Sequence, residues 1–242
     1  MSAYDVIFFD LDHTLVDTRQ QYHLGVPKAM RALYGDAWPD TFLERFLHHH
    51  ELLWPNYDRR VMTMEELRRE RFLRAWRDFG VEKDAEEARR FHEAYMAAFP
   101  ETLRPYPETH RLLEALSPEH RLAIITNGSP DMQWEKVRLC GLDRYFSEEV
   151  LFISERIGHA KPHPSVYQAA MTGMGVAARD ALMIGDNYQA DIEGARACGM
   201  DAVWYVPDPE GFRQLCAQVS DPPLHRAEDV VARVRELEAA RS

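Results

Sequence analysis

The chain has 242 residues, is 45% hydrophobic and 29% charged, and sets 29 Lys and Arg against 40 Asp and Glu for a formal charge of -11. That size and mix can build a core without disulfides or metals to hold it together. The negative balance argues against a nucleic-acid backbone or an anionic membrane as the main partner, while a local positive site could still take a small anion.

Val6 to Phe9 has the make-up of a buried parallel strand, yet it runs directly into Asp10, Leu11 and Asp12. A buried unpaired carboxylate costs several kcal/mol, so a strand that carries two to its end needs a cation or a role for them. From about Thr18 to Phe99 the β-branched runs disappear, and Leu, Ala, Arg, Glu and aromatic residues recur at three- and four-residue spacing, which predicts a helical insert. Pro39 and Pro55 are expected to break it, and Met64 opens a long amphipathic stretch reaching Phe79. His48-His49-His50 reads as a solvated helix face. Pro100, Pro105 and Pro107 mark a stiffened return.

Three further strands are expected at Leu122 to Thr126, Ala181 to Ile184 and Ala202 to Tyr205, alternating with helices over Pro130 to Cys140, Pro164 to Met174 and Gln189 to Cys198. Gly141 and Gly199 are placed to cap two of those helices. Strand and helix alternating in this way predict an α/β fold built on a doubly wound, Rossmann-like parallel sheet. Cys140, Cys198 and Cys216 are odd in number, with no CxxC pair. The N-terminus has no basic region, and every apolar run falls short of the roughly 20 residues that span a bilayer. The expectation is a cytoplasmic protein with reduced thiols.

In open α/β sheets, ligands bind beyond the carboxyl ends of the strands. Asp10, Asp12 and Thr14 follow the first expected strand, Thr126-Asn127-Gly128-Ser129 the second, and Gly185-Asp186-Asn187 the third, with Asp191 beyond. Acids converging on one mouth call for a hard cation, and oxygen ligands without Cys or paired His favour Mg²⁺ over zinc. Taken alone, Asp10 and Asp12 could equally be a cap and a turn acid.

Asp10-Leu11-Asp12-His13-Thr14-Leu15 resembles the first signature of the haloacid dehalogenase (HAD) superfamily. Ile124-Ile125-Thr126-Asn127-Gly128 resembles the second, Lys161-Pro162 the third, and Gly185-Asp186-Asn187-Tyr188-Gln189-Ala190-Asp191 the fourth. Order and separation match as well, with the insert where that superfamily places a helical C1-type cap. The resemblance implies a HAD-like core over 1–17 plus 101–242 and a helical-bundle cap over 18–100. It also implies roles: Asp10 the nucleophile, Asp12 the general acid and then base, and Mg²⁺ bound by Asp10, the Asp12 carbonyl and Asp186. Thr126 and the Asn127 amide would hold phosphoryl oxygens, Lys161 would supply positive charge, and Asp191 would orient Lys161 or a metal-bound water.

The superfamily also contains dehalogenases, phosphonatases and mutases. Asp12 separates among them, because an acid two residues after the nucleophile protonates a leaving alkoxide, which halide expulsion does not need. With Asp17-Thr18 and Ala160-Lys161-Pro162-His163-Pro164, the chain is similar to the subgroup of pyrimidine 5′-nucleotidases and sialic-acid-9-phosphate phosphatases, although His13 stands where the first signature usually has Gly. The expectation is therefore a Mg²⁺-dependent phosphomonoesterase acting on nucleoside monophosphates or other small phosphorylated metabolites, with no nucleic-acid polymer or membrane as partner. A β-phosphoglucomutase-like transferase and a non-catalytic phospho-ligand scaffold are the alternatives. Trp54, Asn56 and Tyr57 are candidates to meet the leaving group, or else part of the cap's own core.

Overall fold

Val6, Ile7, Phe8 and Phe9 are all fully buried. Successive side chains of a strand point to opposite faces, so a run buried throughout needs cover on both. The computed structural model describes residues 4–209 and 222–241 and gives that strand such a place. It contains β1 (Val6–Phe9), β2 (Arg121–Thr126), β3 (Leu151–Ile153), β4 (Ala181–Gly185) and β5 (Asp201–Trp204), ordered β3-β2-β1-β4-β5. Every pairing is parallel, and Phe9 lies beside Ile124 of β2 and Ile184 of β4. The strand order reverses beside β1, so the crevice between the ends of β1 and β4 is a topological switch point.

The chain divides into two units, Met1–Thr18 with Arg104–Ser242 and Arg19–Leu103. In the second lie α1 (Thr18–Tyr34, starting one residue before the boundary), α2 (Phe42–Asp58), α3 (Met64–Arg77), α4 (Ala85–Ala97) and the short α5 (Phe99–Thr102). Capping boxes start α3, where Thr63 and Glu66 satisfy each other's backbone N–H, and α4, where Asp84 and Glu87 do the same. Phe42, Phe46, Phe72, Trp76 and Phe91 form an aromatic core in which Phe72 stacks on Phe91 with ring centroids 4.8 Å apart. Pro55 does not break α2, which continues past it with the Arg59 amide bonded to the Pro55 carbonyl at 3.1 Å. The stretch from Met64 stops at Arg77 and not Phe79. His48 is exposed, but His49 is bonded to Asp78 at 2.9 Å and His50 to the buried Arg71 at 3.1 Å, so the histidine run is not a purely solvated face.

The first unit adds α6 (Thr109–Leu116), α7 (Gln133–Leu139), α8 (Ser154–Ile157), α9 (Pro164–Met174), α10 (Gly194–Ala197) and α11 (Ala227–Ala239). One face of the sheet, with Val6, Phe8, Ala123, Ile125 and Met183, packs on Val166, Tyr167 and Ala170 of α9 and Ala195 of α10. Phe9 projects from the other face, edge-on to Phe146, and α6 packs against α11. The helix expected from Pro130 begins only at Gln133. The segment from Gln189 is a π-type turn (Tyr188–Glu193) leading into α10, and β5 starts one residue before its expected position. Gly141 and Gly199 do take the left-handed conformation, with φ of 64° and 83°. The two crossings into Arg19–Leu103 run antiparallel: Val16 bridges Pro105, the Asp17 amide donates to the Arg104 carbonyl at 3.0 Å, and the Tyr106 amide donates to the Leu15 carbonyl at 3.1 Å. Cys140 and Cys198 are free thiols, and Cys216 lies outside the described residues. Among the described residues no helix is long and apolar enough to cross a membrane.

Candidate active site

Asp10 leaves β1 still on the sheet ladder, its amide bonded to the Ile184 carbonyl at 2.9 Å. That contact aims its carboxylate into the crevice beside β4. There Oδ1 accepts from Lys161 Nζ at 2.7 Å. An ammonium has three donors, and Lys161 uses all of them, the others going to the Ile125 carbonyl at 2.7 Å and Asp191 Oδ1 at 2.6 Å. Burial alone would pull this ammonium down, but Asp10 and Asp191 hold its pKa above the usual lysine range. Asp191 is itself locked, its Oδ2 accepting the Asn187 amide at 2.9 Å. Gly185 makes room for it, since a Cβ there would sit 2.3 Å from the Asp191 carboxyl carbon. Of the two placements expected for Asp191, the structure has the one against Lys161.

The second acid of the crevice has far less support. Among the described residues the Asp186 carboxylate accepts one hydrogen bond, from Thr14 Oγ at 3.0 Å. Burial first, then the charges of Asp10 and Asp191, push its pKa well above the usual carboxylate range. Burial likewise pushes Asp10 up to about 7, against the opposing pull of Lys161. Carboxylate oxygens of Asp10, Asp186 and Asp191 lie within 4.8 Å of one another, and the one ammonium among them is bonded to Asp10 and Asp191 and not to Asp186. The cluster is therefore a cation short, and its donors are hard oxygens. That deficit and donor type fit a Mg²⁺-like ion and do not fit zinc. With both Asp191 oxygens already engaged, Asp10 and Asp186 are the carboxylates left to hold it.

Thr126, at the end of β2, is buried. Its Oγ accepts from the Gln133 amide at 2.6 Å and from the Gly128 N–H at 3.2 Å. A hydroxyl has two acceptor positions and one proton, so what Thr126 has left is a donor. The Asn127 side chain is spent on the Lys161 main chain, accepting its N–H at 2.8 Å and donating to its carbonyl at 3.0 Å. This clasp ties the loop after β2 to the loop carrying Lys161, whose peptide to Pro162 is cis.

Asp12 is held differently from Asp10. Its Oδ1 accepts from Lys136 Nζ at 2.5 Å and Thr18 Oγ at 2.6 Å, and its Oδ2 from Gln133 Nε2 at 2.8 Å. Burial would raise its pKa, but Lys136 and the other two donors outweigh burial and hold it well below the usual carboxylate range. Gln133 and Lys136 escaped the sequence reading. The signal was a Gln and a Lys three apart at the start of a helix, on one face, just past the Thr-Asn-Gly-Ser run. His13 lies in the same turn with φ of 66°, a left-handed backbone that accounts for the usual glycine; it is half-buried, and that desolvation lowers its pKa.

The residues expected to read the leaving group fall within Arg19–Leu103. Tyr57 is buried there with Leu53 and Leu67, and Trp54 packs on that cluster. Asn56 Oδ1 accepts from Arg59 at 2.7 Å. For Tyr57 and Trp54 this is the core reading of the two left open by the sequence.

A family model described as haloacid dehalogenase-like hydrolase matches residues 4–199. Among curated proteins, the glyceraldehyde 3-phosphate phosphatase of Pyrococcus abyssi is 32% identical over 83% of this chain and 80% of its own length. Pyrimidine 5′-nucleotidase PynA of Streptococcus pneumoniae is 30% identical over 84% of each. Among solved structures, the magnesium-bound HAD-hydrolase YfnB of Bacillus subtilis superposes with a TM-score of 0.78 at 22% identity, covering 96% of this chain and 99% of that one, which shows a shared fold.

Proposed function

The chain belongs to the haloacid dehalogenase-like hydrolase family and is a phosphatase of that family, and from this we propose that it is a Mg²⁺-dependent phosphomonoesterase working through an aspartyl-phosphate on Asp10. The observation that carries the reading is the pairing of Asp10 with Lys161 in a buried acidic crevice two positive charges short of neutrality. Held by the Asp10 and Asp186 carboxylates and the Asp12 main-chain carbonyl, the divalent ion would supply that charge and screen an anionic nucleophile from an anionic phosphate.

The residues divide the rest of the work. An oxygen of Asp10 attacks phosphorus as the bond to the leaving alcohol breaks, giving an acyl phosphate. Thr126 donates its one remaining hydrogen bond to a phosphoryl oxygen, the Asn127 amide donates another, and the Lys161 ammonium meets the charge that develops there. Asp12 gives the departing oxygen its proton. Afterwards, as a carboxylate, it takes a proton from the water that hydrolyses the acyl phosphate.

Relatives named for a pyrimidine nucleotide and for a triose phosphate, at similar identity, support a small phosphate monoester as substrate, with nucleoside monophosphates as the first choice. The test is hydrolysis of p-nitrophenyl phosphate and of a panel of nucleoside monophosphates and sugar phosphates, with Mg²⁺ and with EDTA. Turnover that EDTA abolishes and Mg²⁺ restores is expected. Turnover indifferent to EDTA, or none on any compound, would refute the proposal.

A further inference from the structure

We propose that Lys136 is a positioning residue for leaving-group protonation: with Gln133 it clamps the Asp12 carboxyl group in the orientation from which the leaving oxygen is protonated. The inference rests on the function proposed above and deepens it at one step.

The Asp12 carboxylate is surrounded by donors, with Lys136 and Thr18 on Oδ1 and Gln133 on Oδ2. This is the arrangement suited to the carboxylate and not to the acid, since a carboxylic acid would have to turn one of these donors away to give its own proton. It is therefore the state Asp12 reaches once the proton has gone. In that step the O–H bond of Asp12 breaks, an O–H bond forms on the departing alcohol, and the electron pair of the breaking P–O bond stays on that oxygen. Lys136 at 2.5 Å from Asp12 Oδ1, with Gln133 on Oδ2, fixes where the Asp12 carboxyl points, and a proton donor held in line with the departing oxygen contributes more than one free to turn.

Position supports the same conclusion. Gln133 and Lys136 are one turn apart on α7 and both buried, an uncommon place for a lysine without a specific partner. Gln133 Nε2 also reaches Thr126 Oγ, so α7 sets the acid and a phosphate-binding hydroxyl in one frame. Gly128 is part of that frame, because a Cβ there would lie 2.2 Å from Gln133 Nε2.

The claim separates from a merely structural role by leaving group. An alkyl phosphate expels an alkoxide that must be protonated, whereas p-nitrophenyl phosphate expels a phenolate stable without a proton. The value of kcat/KM reports steps up to departure of the alcohol, which leaves out the later hydrolysis. Lys136→Met is expected to lower kcat/KM by ~10²-fold for the alkyl monophosphate best used by wild type, and by less than ~10-fold for p-nitrophenyl phosphate, within the range general acids contribute. Lys136→Arg should restore most of the loss. In an Asp12→Asn background, Lys136→Met should change kcat/KM by no more than about twofold, because the cation then has no carboxylate to serve. Should Lys136→Met fail to fold, Lys136→Gln, without charge, takes its place. Equal losses on both substrates, or a full additional loss in the Asp12→Asn background, would overturn the proposal while leaving the phosphatase reading intact. No turnover by wild type on any substrate would remove both.

Discussion

At Asp10 and Lys161 the sign of a charge decides more than its size. Asp10→Asn keeps an oxygen for Lys161 and removes one of the crowded negative charges. Turnover should fall to background, while metal-free protein at pH 8 melts no lower than wild type, and higher if the charge surplus is as severe as its raised pKa implies; activity and thermal unfolding check the two halves. Lys161→Met does the opposite, stripping the cation from two buried acids. Its metal-free form should lose about 3–5 kcal/mol in denaturant unfolding. At this scale the sequence was legible for the acids, because carboxylates at strand ends are conspicuous. It was not legible for Gln133 and Lys136, because a Lys on a helix is ordinarily a solvated residue and only the fold shows that this one is buried against Asp12.

At the scale of elements, the long apolar strands announced themselves, while β3, only three residues long, lacked enough periodicity to be seen. Pro55 was misread because the helix it sits in retains its other hydrogen bonds, which a local rule cannot anticipate. The turn at Tyr188–Glu193 was taken for α-helix since its composition is helical; its wider winding follows from Asp191 having to swing back to the Asn187 amide and Lys161. Gly185→Ala tests that geometry. Its methyl would occupy the space of the Asp191 carboxylate, so stability should fall by about 1–3 kcal/mol, as overpacked cores do, and kcat should fall with it as Lys161 loses its anchor. Unaltered kcat in a folded Gly185→Ala protein would show that Asp191 does not position Lys161.

For the molecule as a whole, the consequence of the crevice is a coupling of pH, metal and stability. Asp10 and Asp186 have folded-state pKa values raised above the ordinary carboxylate value, with Asp10 at about 7. Such groups favour the folded state when protonated, so their contribution is complete below about pH 4 and is lost as pH rises towards 7. In EDTA the melting temperature should therefore decline between pH 5 and pH 8 relative to an Asp10→Asn, Asp186→Asn control. Added Mg²⁺ should raise it, most at the alkaline end, since metal and protons compete for the same oxygens. Equal Mg²⁺ shifts at pH 5 and pH 8 would contradict the assignment of the ion to these two acids.

The central strand also has an awkward place in time. β1 precedes both of its neighbours by a long way, since β2 and β4 begin only at Arg121 and Ala181. During synthesis this apolar strand, with the nucleophile at its tip, waits through nearly half the chain for its first edge to be paired, while Arg19–Leu103 has its own aromatic core to collapse around. The tip that will carry the chemistry is thus made long before it is enclosed, and a nascent chain halted before β4 leaves it bare on one side.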